Sequence, residues 1–139
     1  MSEALYEILA NASLSHMKKC WQQLQDLNLS TGQPKVLANL LTREGIVQKE
    51  LAVICHVEPS TMTSLLQKMQ RDGLIEKKPL SIPSGKRAYG IYLTDKGRSL
   101  GMSAELIMDN TERLAFQDFT DEERETFLKL IRRLTNNLS

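Results

Sequence analysis

Apolar residues recur along most of this chain at helical spacing, and in one interval the period changes. Over residues 3–27, Leu5, Ile8, Leu9, Ala12, Cys20, Trp21, Leu24 and Leu27 lie along one long helix with no Gly or Pro between them. Asn28 to Gly32 reads as a loop. Ser30 or Thr31 is expected to cap the next helix, which tolerates Pro34 in its first turn. That helix carries Val36, Leu37, Leu40 and Leu41 on one face and stops at Gly45. A short helix is predicted from Gln48 to Cys55, with Leu51, Ala52 and Cys55 facing inward. His56, Val57 and Glu58 then turn the chain. A second helix starts at Pro59 and ends at Asp72-Gly73, glycine being the expected residue just past a helix.

After Gly73 the period shortens. Leu74 to Lys78 suits a short extended segment, residues 79–87 (PLSIPSGKR) a turn-rich loop, and Ala88 to Leu93 a strand. Two strands around one loop make a hairpin. Thr94 caps a helix that runs to about Leu114. A last helix, from about Asp121 to Leu138, carries Phe127, Leu130, Ile131, Leu134 and Leu138 as its stripe; Thr120 and Glu123 form a capping box at its start. Helix, short helix, tight turn, helix and hairpin together make a winged helix-turn-helix. The fold class is mainly α (α+β). The 139 residues are expected to form a single domain, with a winged lobe at 33–94 between helices at 3–27 and 95–138.

Charge sharpens this picture. The net charge is only +1, but it is unevenly spread. Gln67 to Arg98 holds eight Lys/Arg against three acids, a net +5; Ser99 to Phe127 holds eight acids against two Arg, a net −6. A basic centre beside an acidic tail suggests one surface shaped for a polyanion. On the helix that starts at Pro59, Met62, Leu65, Leu66 and Met69 share one face. The opposite face carries Ser60, Thr63, Ser64, Gln67, Lys68 and Arg71, with Thr61 beside them and no acid before Asp72. Small hydroxyl residues let a helix backbone approach a major groove, Gln and Arg reach base edges, and cations meet phosphates. An ordinary solvent-facing surface mixes Glu with Lys at i,i+4 spacing, and this one does not.

Four segments carry a family resemblance: Gln48-Lys49-Glu50-Leu51-Ala52, Pro59-Ser60-Thr61-Met62-Thr63, Gly73-Leu74-Ile75 and Tyr92-Leu93-Thr94-Asp95-Lys96-Gly97. In order and spacing the chain resembles the MarR (multiple antibiotic resistance regulator) family of bacterial transcription factors over almost its whole length. The resemblance implies a homodimer joined by its first and last helices, with a wing that reaches the minor groove. It implies a repressor of transcription acting on a pseudo-palindromic duplex. The implied contacts are Ser60, Thr61, Thr63, Ser64, Gln67, Lys68 and Arg71 from the recognition helix, Lys86 and Arg87 from the wing, and Gln48 and Lys49 to the DNA backbone. The family's wing usually carries Asp-Arg-Arg or Asp-x-Arg before its second strand. Here those positions read Gly85-Lys86-Arg87, so the arginine is kept and the bracing acid is absent. Restoring an aspartate at position 85 is expected to pre-organise the wing.

Other chemistry is thinner. No nucleophile–base pair, phosphate-binding glycine loop or carboxylate dyad stands in a recognisable context, so no enzymatic activity and no cofactor are expected. His16 and Cys20 have the i,i+4 spacing of metal ligands, but zinc ordinarily takes at least three from the protein. Cys20 is expected to pack within the first helix's stripe; a redox-sensing role remains the alternative, since some members of the family sense oxidants through a first-helix cysteine. Met17, Met102 and Met108 are candidates to line a crevice for a small aromatic or other apolar effector, or to fill space. A second alternative is a winged helix that docks a protein, which should expose aromatic or aliphatic residues on its recognition face. The N-terminus lacks the features of a signal peptide and no apolar run could span a bilayer, so a cytoplasmic protein with no membrane contact is expected.

Overall fold

The computed structural model describes residues 4–81, 85 and 87–139. It is mainly helical with one small antiparallel sheet. Helix α1 spans Leu5–Leu24 and tightens into a 3-10 turn over Gln25–Leu27. Asn28 then turns left-handed, at φ 55°. Helix α2 covers Gln33–Leu40. Its cap differs from the sequence expectation. Gly32, at φ 94°, occupies the N-cap, and neither the Ser30 nor the Thr31 side chain accepts a capping hydrogen bond. The Gln33 side chain instead accepts the Ser30 N–H at 3.2 Å. Glycine is needed at the cap because a Cβ there would sit 3.1 Å from Leu65 Cδ1 in a conformation that L-residues rarely adopt.

Strand β1, Ile46–Val47, leads directly into α3, Gln48–Ile54. Helix α4 covers Pro59–Arg71. Strands β2, Ile75–Leu80, and β3, Ala88–Leu93, form the wing hairpin. The sheet order is β1-β3-β2, with Ile46 opposite Ile91 and Ile75 opposite Leu93. Strand β1 was not expected, because two residues carry no periodicity. Strand β2 runs further than expected. Pro79 and Leu80 pair with Tyr89 and Ala88, where the sequence suggested loop. β2 is an edge strand, and an edge tolerates a residue with no N–H.

Helix α5, Asp95–Ala115, packs against α2 and α1, and α6 covers Asp121–Leu138. Both caps match the sequence reading. Thr94 accepts the Gly97 N–H at 3.0 Å, and Thr120 and Glu123 complete the capping box.

The core lies inside the winged lobe. Val36, Leu37 and Leu40 of α2, Leu51, Ala52 and Cys55 of α3, and Met62, Leu66 and Met69 of α4 close over Leu74, Ile75, Ile91 and Leu93 of the hairpin. Leu65, expected on the buried face of α4, is only half-buried at its margin. The long helices present a different picture. Leu24 is the one buried residue of α1, and α6 has none. Their apolar stripes, with Leu5, Ile8, Phe127 and Leu130, stand exposed on this single chain.

Candidate functional site

Helices α3 and α4 pack on one another and on the strands of the wing hairpin. The chain turns tightly between the helices. His56 takes a left-handed φ of 54°, and the Val57 N–H returns to the Ala52 carbonyl at 2.9 Å. Helix α4 ends in a Schellman arrangement. Gly73 holds φ 74°, the Leu74 N–H reaches the Met69 carbonyl at 2.9 Å and the Gly73 N–H reaches Gln70 at 3.2 Å. Lys68 and Arg71 occupy the last turn, where cations complement the helix dipole.

With Met62, Leu66 and Met69 buried beneath, Ser60, Thr61, Thr63, Ser64, Gln67, Lys68 and Arg71 are all exposed on the outer side of α4. Gln48 and Lys49, at the start of α3, flank this face; Lys49 is exposed and Gln48 half-buried. Arg87 is exposed just before β3. Lys86 lies outside the described residues. The ion pairs among the described residues are Lys78–Glu76 within β2, Arg98–Glu44 and Arg124–Glu112. Lys49, Lys68, Arg71 and Arg87 are therefore cations without an acidic partner among the described residues. No large apolar side chain of α4 stands among the exposed ones.

Three ties that the sequence did not reveal hold this face to α5. The Thr94 hydroxyl donates to the Gly73 carbonyl at 2.6 Å, the Thr94 N–H to Leu74 at 3.1 Å, and Lys96 Nζ to the Asp72 carbonyl at 3.2 Å. Each ends on the C-terminal end of α4. Glu44 makes a fourth connection, accepting from the Leu93 N–H at 3.0 Å and from Arg98 at 2.6 Å. No periodicity signals such contacts. They join residues about 20 and 50 positions apart.

Remaining candidates fall away from this face. Cys55 is fully buried, and desolvation pushes its thiol pKa up against the opposing pull of Lys35 and Arg43. Cys20 departs from expectation. It is half-buried rather than fully packed, with Sγ 3.8 Å from His16 Nε2. Met17 and Met102 are exposed and Met108 half-buried.

Comparison with known proteins follows this geometry. The sequence pattern of the MarR family matches residues 25–86. The chain is 28% identical over 116 residues to the uncharacterized HTH-type transcriptional regulator YybA of Bacillus subtilis, covering 84% of this chain and 76% of that protein. It is 30% identical to the crystal structure of MarR, with a TM-score of 0.75 over 99% of this chain and 92% of that one. The fold is also that of Staphylococcus aureus MepR in a crystal structure of its DNA complex. There the TM-score is 0.86 at 20% identity, covering 98% and 99% of the two chains.

Proposed function

The chain belongs to the MarR family of transcriptional regulators, which are not enzymes, and on that premise we propose that it binds double-stranded DNA sequence-specifically and represses transcription. The observation that carries this reading is the outer face of α4. It is exposed, free of acids between Pro59 and Arg71, and flanked by cations that have no acidic partner among the described residues. Such a helix meets a major groove without repelling phosphates. Ser60, Thr61, Thr63, Ser64, Gln67 and Arg71 face the bases, Lys68 and Lys49 the phosphates, and Arg87 the minor groove, where narrow A·T-rich segments attract arginine. MepR has been solved on DNA with this fold. Protein docking is the weaker reading, since the α4 face lacks the exposed anchors such an interface uses.

We propose further that the protein is a homodimer and a single-domain, cytoplasmic protein. Leu5, Leu14, Leu106 and Leu130 are 54%, 64%, 57% and 46% exposed on the long helices, an apolar area that a second copy would cover. No helix among the described residues is long and apolar enough to cross a membrane. A two-fold dimer presents two recognition helices to successive turns of one groove face, so the site is pseudo-palindromic. An apolar effector that releases the dimer from DNA fits the exposed methionines of α1 and α5.

Selection of bound sites from random duplex DNA tests the reading. An enriched inverted repeat is expected, with affinity falling as salt rises by a log–log slope of about 0.9 per phosphate neutralised. Absence of any enriched site, or a slope near zero, overturns it.

A further inference from the structure

Two side chains on different helices meet at the edge of the α4 face. Gln48 is the first residue of α3, and its Nε2 lies 2.8 Å from the Thr63 hydroxyl. That hydroxyl lies 3.0 Å from the Pro59 carbonyl oxygen, one turn back along α4. The chemistry of the three groups fixes the direction of both bonds. A carbonyl oxygen only accepts, so the hydroxyl proton goes to Pro59. An amide NH₂ only donates, so Gln48 supplies the second bond. The hydroxyl has a single proton and has already given it. Thr63 retains one lone pair and its methyl group.

From this geometry we infer that Gln48, rather than contacting the DNA backbone as the resemblance implies, is a positioning residue for base readout, locking Thr63 so that it offers a groove a methyl group and an acceptor but no donor. The inference rests on the DNA-binding reading and assigns specificity within it. Guanine shows only acceptors in the major groove, at N7 and O6, and an acceptor-only Thr63 has nothing to give them. Thymine presents a C5-methyl that a threonine methyl packs against, and adenine and cytosine present N–H donors to the free lone pair. Thr63 therefore disfavours guanine as the base it contacts, and accepts thymine, adenine or cytosine there.

Its neighbours are held differently. Ser64 makes one longer back-bond to the Ser60 carbonyl at 3.3 Å, with no second side chain bonded to it among the described residues. Gln67 has no hydrogen-bond partner among the described residues, so its amide can turn to suit the base it meets. One side chain of the face is set in advance and its neighbours adapt. A pre-set contact loses less entropy on binding.

The test uses the full chain and the duplex that wild-type protein selects from a random pool. Gln48→Ala, Thr63→Ala and the double variant are titrated against the selected duplex and against a random duplex at one salt concentration. Selection is then repeated with Gln48→Ala. Gln48→Ala is expected to weaken the selected duplex about five- to tenfold, to leave the random duplex within about twofold, and to admit guanine at one position on the contacted strand of each half-site. The double variant is expected to bind no worse than Thr63→Ala, because the two residues act as one unit. Should Gln48→Ala unfold, Gln48→Met keeps the length without the amide and carries the same test. Equal loss on both duplexes, adding to that of Thr63→Ala, overturns the inference and makes Gln48 a phosphate contact. A wild type that enriches no site overturns the DNA reading itself, and this inference with it.

Discussion

Adding one methyl group at Gly97 should unseat α4 from the long helix behind it. Gly97 lies in the first turn of α5, against the chain leaving α4. A Cβ built there would fall 2.9 Å from the Leu74 carbonyl carbon and 3.2 Å from its Cα, and deep inside contact with the carbonyl oxygen itself. Ordinary carbon contacts are about 3.5–4.0 Å, so the two backbones must part by about 1 Å. Neither is free to yield. Leu74 O accepts the Thr94 N–H at 3.1 Å, and the Thr94 hydroxyl both caps α5 and reaches Gly73. Overpacking of this kind costs about 1–3 kcal/mol. Losing the cap adds about 1 kcal/mol, and losing the neighbouring hydrogen bond about as much again. Alanine returns about 1 kcal/mol of helix propensity. Gly97→Ala should therefore destabilise the protein by about 2–4 kcal/mol, read as a lower urea midpoint at unchanged slope. Gly73→Ala is the control. Its Cβ meets nothing within 4 Å, so it pays only for the left-handed backbone, about 1 kcal/mol. A Gly97→Ala protein as stable as wild type, or less damaged than Gly73→Ala, would refute the packing account.

The other outcomes concern the turn, the last helix and the wing. His56→Gly should raise stability by up to about 1 kcal/mol in urea unfolding, because glycine takes φ 54° without the clash an L-residue meets; a loss would mean that the imidazole supports the turn. Glu123 is held below the ordinary glutamate range by hydrogen bonds with the Thr120 backbone and side chain. Its contribution is therefore complete above that range and is lost as pH falls through the lowered value. Thermal midpoints taken from about pH 5 downward should fall less steeply for Thr120→Ala, and an unchanged slope would contradict the cap's role. Gly85 holds φ 72°, so aspartate there meets backbone strain of about 1 kcal/mol as well as nearby phosphates. Contrary to the sequence expectation, Gly85→Asp should weaken DNA binding, with Gly85→Asn intermediate; equal or tighter binding by Gly85→Asp in a titration at fixed salt would restore the idea of a missing brace.

Much of this architecture was legible in the pattern of residues because each large element buries or caps something periodic. The stripe of Met62, Leu66 and Met69 defined α4 and, by subtraction, its outer face. Thr94 and Thr120 announced the starts of α5 and α6. What escaped had no period. Strand β1 is two residues long, and β2 passes through a proline that sequence reasoning takes for a loop. The cap of α2 was misassigned to a hydroxyl because the close approach of Leu65 to Gly32 is a tertiary fact. The stripes of α1 and α6 were read correctly as apolar, yet they contribute little to the core of this chain. A stripe in sequence says that a face will be buried, not that its own chain buries it. At the candidate site, composition marked a face of α4 that the structure exposes, but not the state of its groups. Thr63 stands where expected, yet its proton is already committed to Pro59.

Two of the segments that carried the family resemblance, Gly73-Leu74-Ile75 and Tyr92 to Gly97, meet in space as two sides of one joint. Thr94 bonds to Gly73 and Leu74, Lys96 to Asp72, and Gly97 gives the Leu74 carbonyl the room it needs. These residues fix how α4 is mounted on α5, and none of them faces the bases in the proposed interface. The residues proposed to read DNA, among them Ser64 and Gln67, are exposed and support no part of the core. Frame and readout are thus physically separable. Substitution at Gln67 can alter base preference while the joint stays intact, whereas Gly97→Ala disturbs the mounting of every readout residue at once. Resemblance through the joint therefore carries over the fold and the presentation of α4, and leaves the preferred sequence to side chains that the joint does not constrain.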